Sequence, residues 1–454
     1  MKVVFITAFQ PFVSRNVLNT GVLDEFLTRG VQVVVLVPKA KADFYTKVYS
    51  PRGVIVEGID VASFNTQRER FFQHTAELLI DTNTKRFHKM IERFEGGSLL
   101  KYILMRTITA TVGRLRGAKH LFRFIEYYFY QPRFFEALLH SYKPDAVFAT
   151  NVFGELDTAL IKDARRSGVR SVGMVMSWDN PTSKQLLRVV PDTLLAHNQG
   201  ICAELSDLHA VEDAKAVGTP HYDYAKSYCA VTKEEFFEQM GIPQDRTLVL
   251  LSPAGQKFID TDWQIFQILK DARSTGAFSR PVHFLVRVHP TNKINFGQFV
   301  PDEFFTIEEP GVRFEGVRDK DNELDMAGFN HLLDSIDHST VVVNTLSSIV
   351  IDACVRNRPV VTVGFDGLET HVPFERSVEL YHVEENMAKL LTTGGAPVAR
   401  SAPELVAAIE RYIQDSSRDS VEREVLLVQQ CSVLDGHAKD RIVDAVFGRL
   451  SAEN

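Results

Sequence analysis

Two separate series of apolar strands, each strand followed by a helical stretch, constrain this chain more than any other feature. The first series opens with KVVFITAF (2–9), a loop QPFVSRN, a helix near 17–29 and VQVVVLVP (31–38). It continues through PDAVFAT (144–150), a helix over 155–167, VRSVGMVMS (169–177), DTLLAHN (192–198) and AKAVGT (214–219). A second alternation starts afresh with RTLVLLSP (246–253), a helix over 261–273 and PVHFLVRVHP (281–290). After a stretch that includes VRFEG (312–316) come a helix FNHLLDSI (329–336), the strand TVVVN (340–344), a helix over 348–356 and RPVVTVG (358–364). Strands that are apolar on both faces belong to parallel sheets covered on both sides by helices. Two such series predict an α/β chain of two Rossmann-like domains facing across a cleft.

At 454 residues the chain is too long for one ordinary core, which agrees with two domains. The expected boundaries are 1–228 for the first domain and 245–430 for the second, with a polar helix and turn over about 230–244 as linker. A helix in 431–454 can cross back to the first domain. The net charge of -7 argues against a protein that coats nucleic acid. Cys202, Cys229, Cys354 and Cys431 lie far apart without metal-ligand spacing and read as thiols in a reducing cytoplasm. VVFITAF (3–9) is too short for a signal-peptide core, and no apolar run reaches the length of a membrane span.

One insertion departs from the pattern. Residues 85–135 carry eleven Lys/Arg, and FRFIEYYFYQPRFF (122–135) is densely aromatic. Such a helical insertion can lie on an anionic bilayer or meet a lipid-linked acceptor. It can equally be a hairpin that packs its aromatics into the first domain.

Candidate chemistry gathers at strand ends of the second series, where open parallel sheets bind ligands. The strand 340–344 ends in Asn344, and Thr345, Ser347 and Ser348 stand at the mouth of the next helix. Hydroxyls there cap the helix, and its free N–H groups can also cradle phosphate. Asp352, four residues after Ser348, shares its helix face and is placed to meet ribose hydroxyls. Arg287 and His289 end another strand, and both suit a phosphate. A third strand end, LLSPAGQK (250–257), adds Ser252, a glycine turn and Lys257 as a helper. A lone histidine or serine at a strand end is ordinary packing and capping, but three polar strand ends in one half of the chain are harder to explain that way.

RVHP (287–290), VVVNTLSSIVIDACVRNRPVV (341–361) and DGHAKDRI (435–442) together resemble the carboxyl half of the GT-B glycosyltransferase superfamily. The chain is most similar there to the CDP-glycerol glycerophosphotransferase group, and the resemblance runs over roughly 217–445. It implies a nucleotide-activated donor held by the HP and Ser-Ser elements, as sialyl- and Kdo-type transferases hold a CMP phosphate. Where that group carries His-Gly-Thr in its first domain, this chain has MSWDNPTSK (176–184). Asp179 then replaces the missing histidine as general base, with Trp178 as a stacking wall, or the segment is only a tight Asx turn. Glu155 or Asp157, after the strand 144–150, is the other candidate base. Both also suit a first helical turn on dipole grounds alone.

The catalytic candidates are therefore Glu155, Asp179 and His289, with Arg15 and Asn16 on the acceptor side. No metal and no cofactor beyond the donor substrate is expected. The expected activity is sugar transfer to a surface-glycan or lipid-linked acceptor in cell-envelope polysaccharide synthesis. The enzyme would be cytoplasmic or peripheral at the inner face of the membrane. Glycerol-phosphate transfer, non-hydrolysing UDP-sugar 2-epimerisation and a non-catalytic nucleotide-sugar-binding subunit stand as rivals.

Overall fold

The computed structural model describes residues 1–448 except 65, 291, 315–321, 346 and 370, and excepting the Arg313 side chain. Residues 315 and 316 of VRFEG, and residue 346 inside the Ser-Ser turn, thus lie outside the described residues. The chain divides into two compact units, one built on Met1–Asp223 and the other on Tyr224–Val312 and Asn322–Gln430.

The first unit holds strands β1 (Val3–Thr7), β2 (Gln32–Pro38), β3 (Ile55–Ile59), β4 (Ala146–Ala149), β5 (Arg170–Met174), β6 (Thr193–Ala196) and β7 (Ala214–Ala216). They form one parallel sheet in the order β3-β2-β1-β4-β5-β6-β7. Successive residues feed opposite cores, which is why the strands read as unbroken apolar runs. Val4, Ile6, Val33 and Val35 point to one face, while Phe5, Val34 and Leu36 point to the other. Helix Ala438–Phe447, from the far end of the chain, covers the first of these faces with Ile442, Val443 and Val446. The helix foreseen near 17–29 is kinked at Thr20 and Gly21, inside Ser14–Val22, because Gly21 takes φ 92°, and it runs on helically into Leu23–Thr28.

The second unit holds β8 (Thr247–Ser252), β9 (Val282–Arg287), β10 (Phe305–Glu308), β11 (Ser339–Asn344), β12 (Val360–Val363) and β13 (Val398–Ala399). These too are all parallel, in the order β10-β9-β8-β11-β12-β13. The direction of winding reverses between β8 and β11, as it does between β1 and β4 in the first sheet. Such reversals leave a crevice at the carboxyl edge of the sheet. The stretch 230–244, read as a polar helix and turn between the domains, holds helix Lys233–Met240. A capping box between Thr232 and Glu235 starts it, and buried Phe236 and Phe237 tie it into the second unit.

Among the described residues five α-helices lie between β3 and β4: Gln67–Glu77, Asn83–Phe94, Leu99–Thr111, Arg116–Phe129 and Glu136–Tyr142. Thr66, Thr82 and Ser98 cap the first three through their side chains. Of the aromatic run, Phe122, Tyr130 and Phe135 are buried, whereas Phe124, Tyr128 and Phe129 are exposed. Arg188 joins the insertion to the domain by pairing, fully buried, with Glu69 and Glu126, and Lys162 also pairs with Glu126. Among the described residues no helix is long and apolar enough to cross a membrane.

Candidate active site

The crevice of the second sheet is built from the ends of β8, β9 and β11. Asn344 and Ser252 stand side by side in register, and the Thr345 N–H donates to the Ser252 carbonyl at 3.2 Å. Asn344 is fully buried; its Oδ1 accepts the Ser347 N–H at 2.8 Å, and its Nδ2 has no hydrogen-bond partner among the described residues. Ser347 Oγ accepts the Ile349 N–H at 3.4 Å. Ser348, the residue before helix Ile349–Val355, makes no side-chain capping bond and is exposed. The turn is therefore held by Asn344 and Ser347, which leaves the Ser348 hydroxyl facing outward.

Ser252 leads into a loop fixed from within the domain. Asp262 accepts the N–H groups of Ala254 at 3.1 Å and Gly255 at 2.7 Å, and burial pushes its carboxyl up to about 6 against those two bonds. Across the loop, Asn292 Nδ2 donates to the Ala254 carbonyl at 3.2 Å, and the Gln256 N–H donates to the Lys293 carbonyl at 2.9 Å. This clamp joins the loop after β8 to the loop after β9, where half-buried His289 sits. Lys257 is exposed, with its ammonium 5.1 Å from the Phe258 ring centroid.

Two predicted ligand contacts take other positions. The Arg287 guanidinium is buried and donates to Glu308 at 2.9 Å and to the Gly328 carbonyl at 3.1 Å. Burial pushes the Glu308 carboxyl up, but the bond to His331 at 2.6 Å and the Arg287 charge outweigh it and leave the group below its ordinary value. Arg287 thus braces β9 against β10 and helix Met326–His338. Asp352 is only 3% exposed, because helix Ile349–Val355 is buried all round, so its carboxylate does not face solvent. His382 was not foreseen; it lies by the carbonyls of Thr345 and Val363, held toward its neutral form by burial and by the Arg400 charge. It arrives from helix Val378–His382, well beyond the strand it approaches, with no local motif to signal it.

In the first unit, Thr7 and Thr150 bridge the reversal between β1 and β4: the Thr150 N–H donates to Thr7 Oγ1 and the Thr150 hydroxyl to the Thr7 carbonyl, both at 2.9 Å. Thr7 also donates to buried Asp157, whose carboxyl burial pushes up to about 7 despite bonds from Thr7 and the Asn151 N–H. Asp157 is a buried brace. Glu155, half-buried at the start of helix Glu155–Arg166, accepts from Gln73 at 3.0 Å and lines a cavity of about 900 Å³ with Lys39, Asp60, Arg70 and His74. Asp179 accepts the hydroxyls of Ser177 and Ser183 and so organises its own turn. Arg15 donates to Asn16 at 2.7 Å and lies 5.4 Å from the Phe12 ring centroid, near buried His221, which burial and the charges of Arg15 and His197 keep neutral. Among the described residues no cluster of three or more His, Cys, Asp or Glu is arranged to hold a metal.

Residues 206–448, more than half of the chain, match the model of the CDP-glycerol:poly(glycerophosphate) glycerophosphotransferase family. The chain belongs to that family. The match takes in all of β8–β13, the Ser-Ser turn and helix Ala438–Phe447. No curated protein matches the chain in sequence.

Solved structures resemble this glycerophosphotransferase-family chain in fold. A UDP-GlcNAc 2-epimerase from Neisseria meningitidis bound to UDP-GlcNAc has a TM-score of 0.53 at 10% identity, over 98% of this chain and 99% of that one. The S. aureus MnaA-UDP co-structure has a TM-score of 0.52 at 12% identity, over 98% and 95%. A glycosyltransferase from Rickettsia africae has a TM-score of 0.50 at 9% identity, over 98% and 97%. At such identities the likeness is one of fold, and the fold class is GT-B, two parallel-sheet α/β domains.

Proposed function

We propose that the chain transfers a sugar from a nucleotide-activated donor to a hydroxyl of a surface-glycan or lipid-linked acceptor. The observation that carries this reading is the convergence of Ser252, His289, Thr345, Ser347 and Ser348 on the reversal between β8 and β11. The outward Ser348 hydroxyl and the half-buried His289 imidazole there suit the charge that grows on a departing nucleotide phosphate. Glu155 is the base: it opens on a cavity, whereas Asp179 is engaged within its own turn. As the acceptor oxygen attacks the anomeric carbon, Glu155 takes its proton and the bond from that carbon to the phosphate oxygen breaks. Arg287 keeps the site's shape by bracing β9 through Glu308 and the Gly328 carbonyl. UDP and UDP-GlcNAc in the S. aureus and Neisseria structures support a nucleotide-sugar ligand for this fold.

A second reading, transfer of glycerol phosphate from CDP-glycerol, is favoured by the family match over 206–448. Against it stands MSWDNPTSK, where the resemblance calls for a histidine. Nucleotide release from CMP-, UDP-, GDP- and dTDP-sugars and from CDP-glycerol, each with and without a glycan acceptor, tests both. Acceptor-dependent release from one sugar donor, lost in Glu155→Gln, is the expected result. Release from CDP-glycerol alone establishes the second reading, and acceptor-free isomerisation of a UDP-sugar refutes both.

A further inference from the structure

Helix Gln67–Glu77 forms one wall of the cavity on which Glu155 opens. It starts at Thr66, whose hydroxyl accepts the Glu69 N–H at 3.1 Å, and Glu69, Phe72 and Ala76 follow at the i, i+3, i+7 spacing of one helix face. The domain holds that face. Buried Arg188 donates through two nitrogens to the Glu69 carboxylate, and it donates to Glu126 at 2.9 Å as well. The Phe72 ring stacks on Tyr130 with centroids 5.2 Å apart, and the Leu186 N–H donates to the Ala76 carbonyl at 3.1 Å. Breaking the Glu69–Arg188 pair would strand charge in a low-dielectric interior, so the helix has one favoured seat.

Gln73 lies four residues after Glu69 and is therefore its neighbour on the helix surface. From this position its Nε2 donates to Glu155 Oε1 at 3.0 Å. Glu155 is the first residue of helix Glu155–Arg166, and that helix is fixed in turn by Asp157, which accepts from Thr7 and from the Asn151 N–H. The bond thus bridges two helices that are each anchored elsewhere. It adds little stability, because both side chains are half-buried beside a cavity of about 900 Å³ and water can replace either partner. What it fixes is the direction of a carboxylate that would otherwise sample many rotamers.

We propose that Gln73 is a positioning residue, which aims the Glu155 carboxylate at the acceptor hydroxyl. The proposal rests on the reading of Glu155 as base. A base works only within hydrogen-bond reach of the proton it takes, and a misplacement of ~1 Å can cost on the order of 10²-fold in rate. A glutamine suits this task because its amide donates an N–H while carrying no charge of its own. Lys39 and Asp60, from the loops after β2 and β3, and Arg70 and His74, from the helix of Gln73, line the cavity too, beside buried Glu69. Asp157 lies on the helix of Glu155 itself. All of these charges stay in place when Gln73 alone is changed, so the change reports on the one bond.

The test uses Gln73→Met, close in shape to glutamine but without the N–H donor, and Gln73→Lys, which keeps a donor at that place. Acceptor-dependent nucleotide release is followed on whichever of the CMP-, UDP-, GDP- and dTDP-sugars the wild type turns over. Gln73→Met should lower kcat by about 10–100-fold and leave both KM for the donor and the melting temperature unchanged. It should also move the acid limb of the pH–rate profile upward, since a carboxylate that loses an N–H bond takes up a proton more readily. Gln73→Lys should restore most of the turnover. In a Glu155→Gln background Gln73→Met should have no further effect, because it acts through that carboxylate. A wild-type kcat and pH profile in Gln73→Met would overturn the proposal. So would a loss that persists in Gln73→Lys or adds in full to that of Glu155→Gln, the mark of a merely structural bond. Turnover of none of these donors, or undiminished turnover in Glu155→Gln, is a different failure: it refutes the base itself and the proposal with it.

Discussion

Asp262 holds Gly255 in place: its Oδ2 accepts the Gly255 N–H at 2.7 Å, from inside the second domain. Gly255 sits at φ 83°, and a Cβ there would lie 2.7 Å from Asn292 Cβ and 3.0 Å from the Lys293 carbonyl oxygen. Backbone strain and contact therefore act together at this one glycine. Gly255→Ala should cost about 1–3 kcal/mol in urea unfolding. It should also weaken nucleotide binding, because the displaced loop carries the connection from Ser252 to Lys257. Wild-type stability and affinity in this variant would contradict the clamp.

The pH dependence of stability tests the first domain's brace. Burial pushes Asp157 up to about 7 from an ordinary 3.8, so ionisation is easier in the unfolded chain than in the folded one. Its stabilising contribution is complete below the unfolded value and is lost as pH rises through about 7. Compared with Asp157→Asn, the wild type should lose about 2–4 kcal/mol between roughly pH 4 and pH 8. Parallel stability curves for the two proteins would show that Asp157 does not titrate in this range.

Glu126 accepts both Arg188 and Lys162 where all three side chains are buried. Removing the acid strands two cations in a low-dielectric interior. Glu126→Ala should lower unfolding free energy by about 3–5 kcal/mol, read from denaturant midpoints. The loss should show as loosening of helix Arg116–Phe129 in hydrogen exchange before the sheet is affected.

Glu155→Gln should reduce turnover by about 10²–10⁴ while leaving nucleotide affinity unchanged, since a base acts on the acceptor proton rather than on the donor. Asp179→Asn should act differently, lowering stability through its turn with Ser177 and Ser183 and changing turnover less. The reverse ranking would move the base to Asp179.

The strands were legible because each is an unbroken apolar run bounded by helical pattern, and a parallel sheet buried on both faces demands such runs. The position of Ser347 and Ser348 at a strand end was legible for the same reason. Which way polar side chains turn was not. Asp352 keeps its helical spacing from Ser348, yet it is buried where Ser348 is exposed, a difference set by the packing of helix Ile349–Val355. Arg287 looked like a phosphate ligand, but Glu308, the acid that takes it, comes from the neighbouring strand β10. The basic insertion resolves the same way, with Asp81 drawing three arginines inward while the leucines stay out. Spacing along the chain signals shared faces, but which face meets the core depends on tertiary packing that one sequence does not display.

Thermal stabilisation by CMP, CDP, UDP, GDP and dTDP, on the wild type and on His289→Ala and Ser348→Ala, bears most directly on the donor site. One nucleotide, supplied at about 100 times its dissociation constant, should add roughly 2.7 kcal/mol to the wild type. Both variants should lose that gain while keeping the unliganded melting temperature. Failure of all five nucleotides to stabilise the wild type, or an undiminished response in both variants, would contradict a donor site at the ends of β8, β9 and β11.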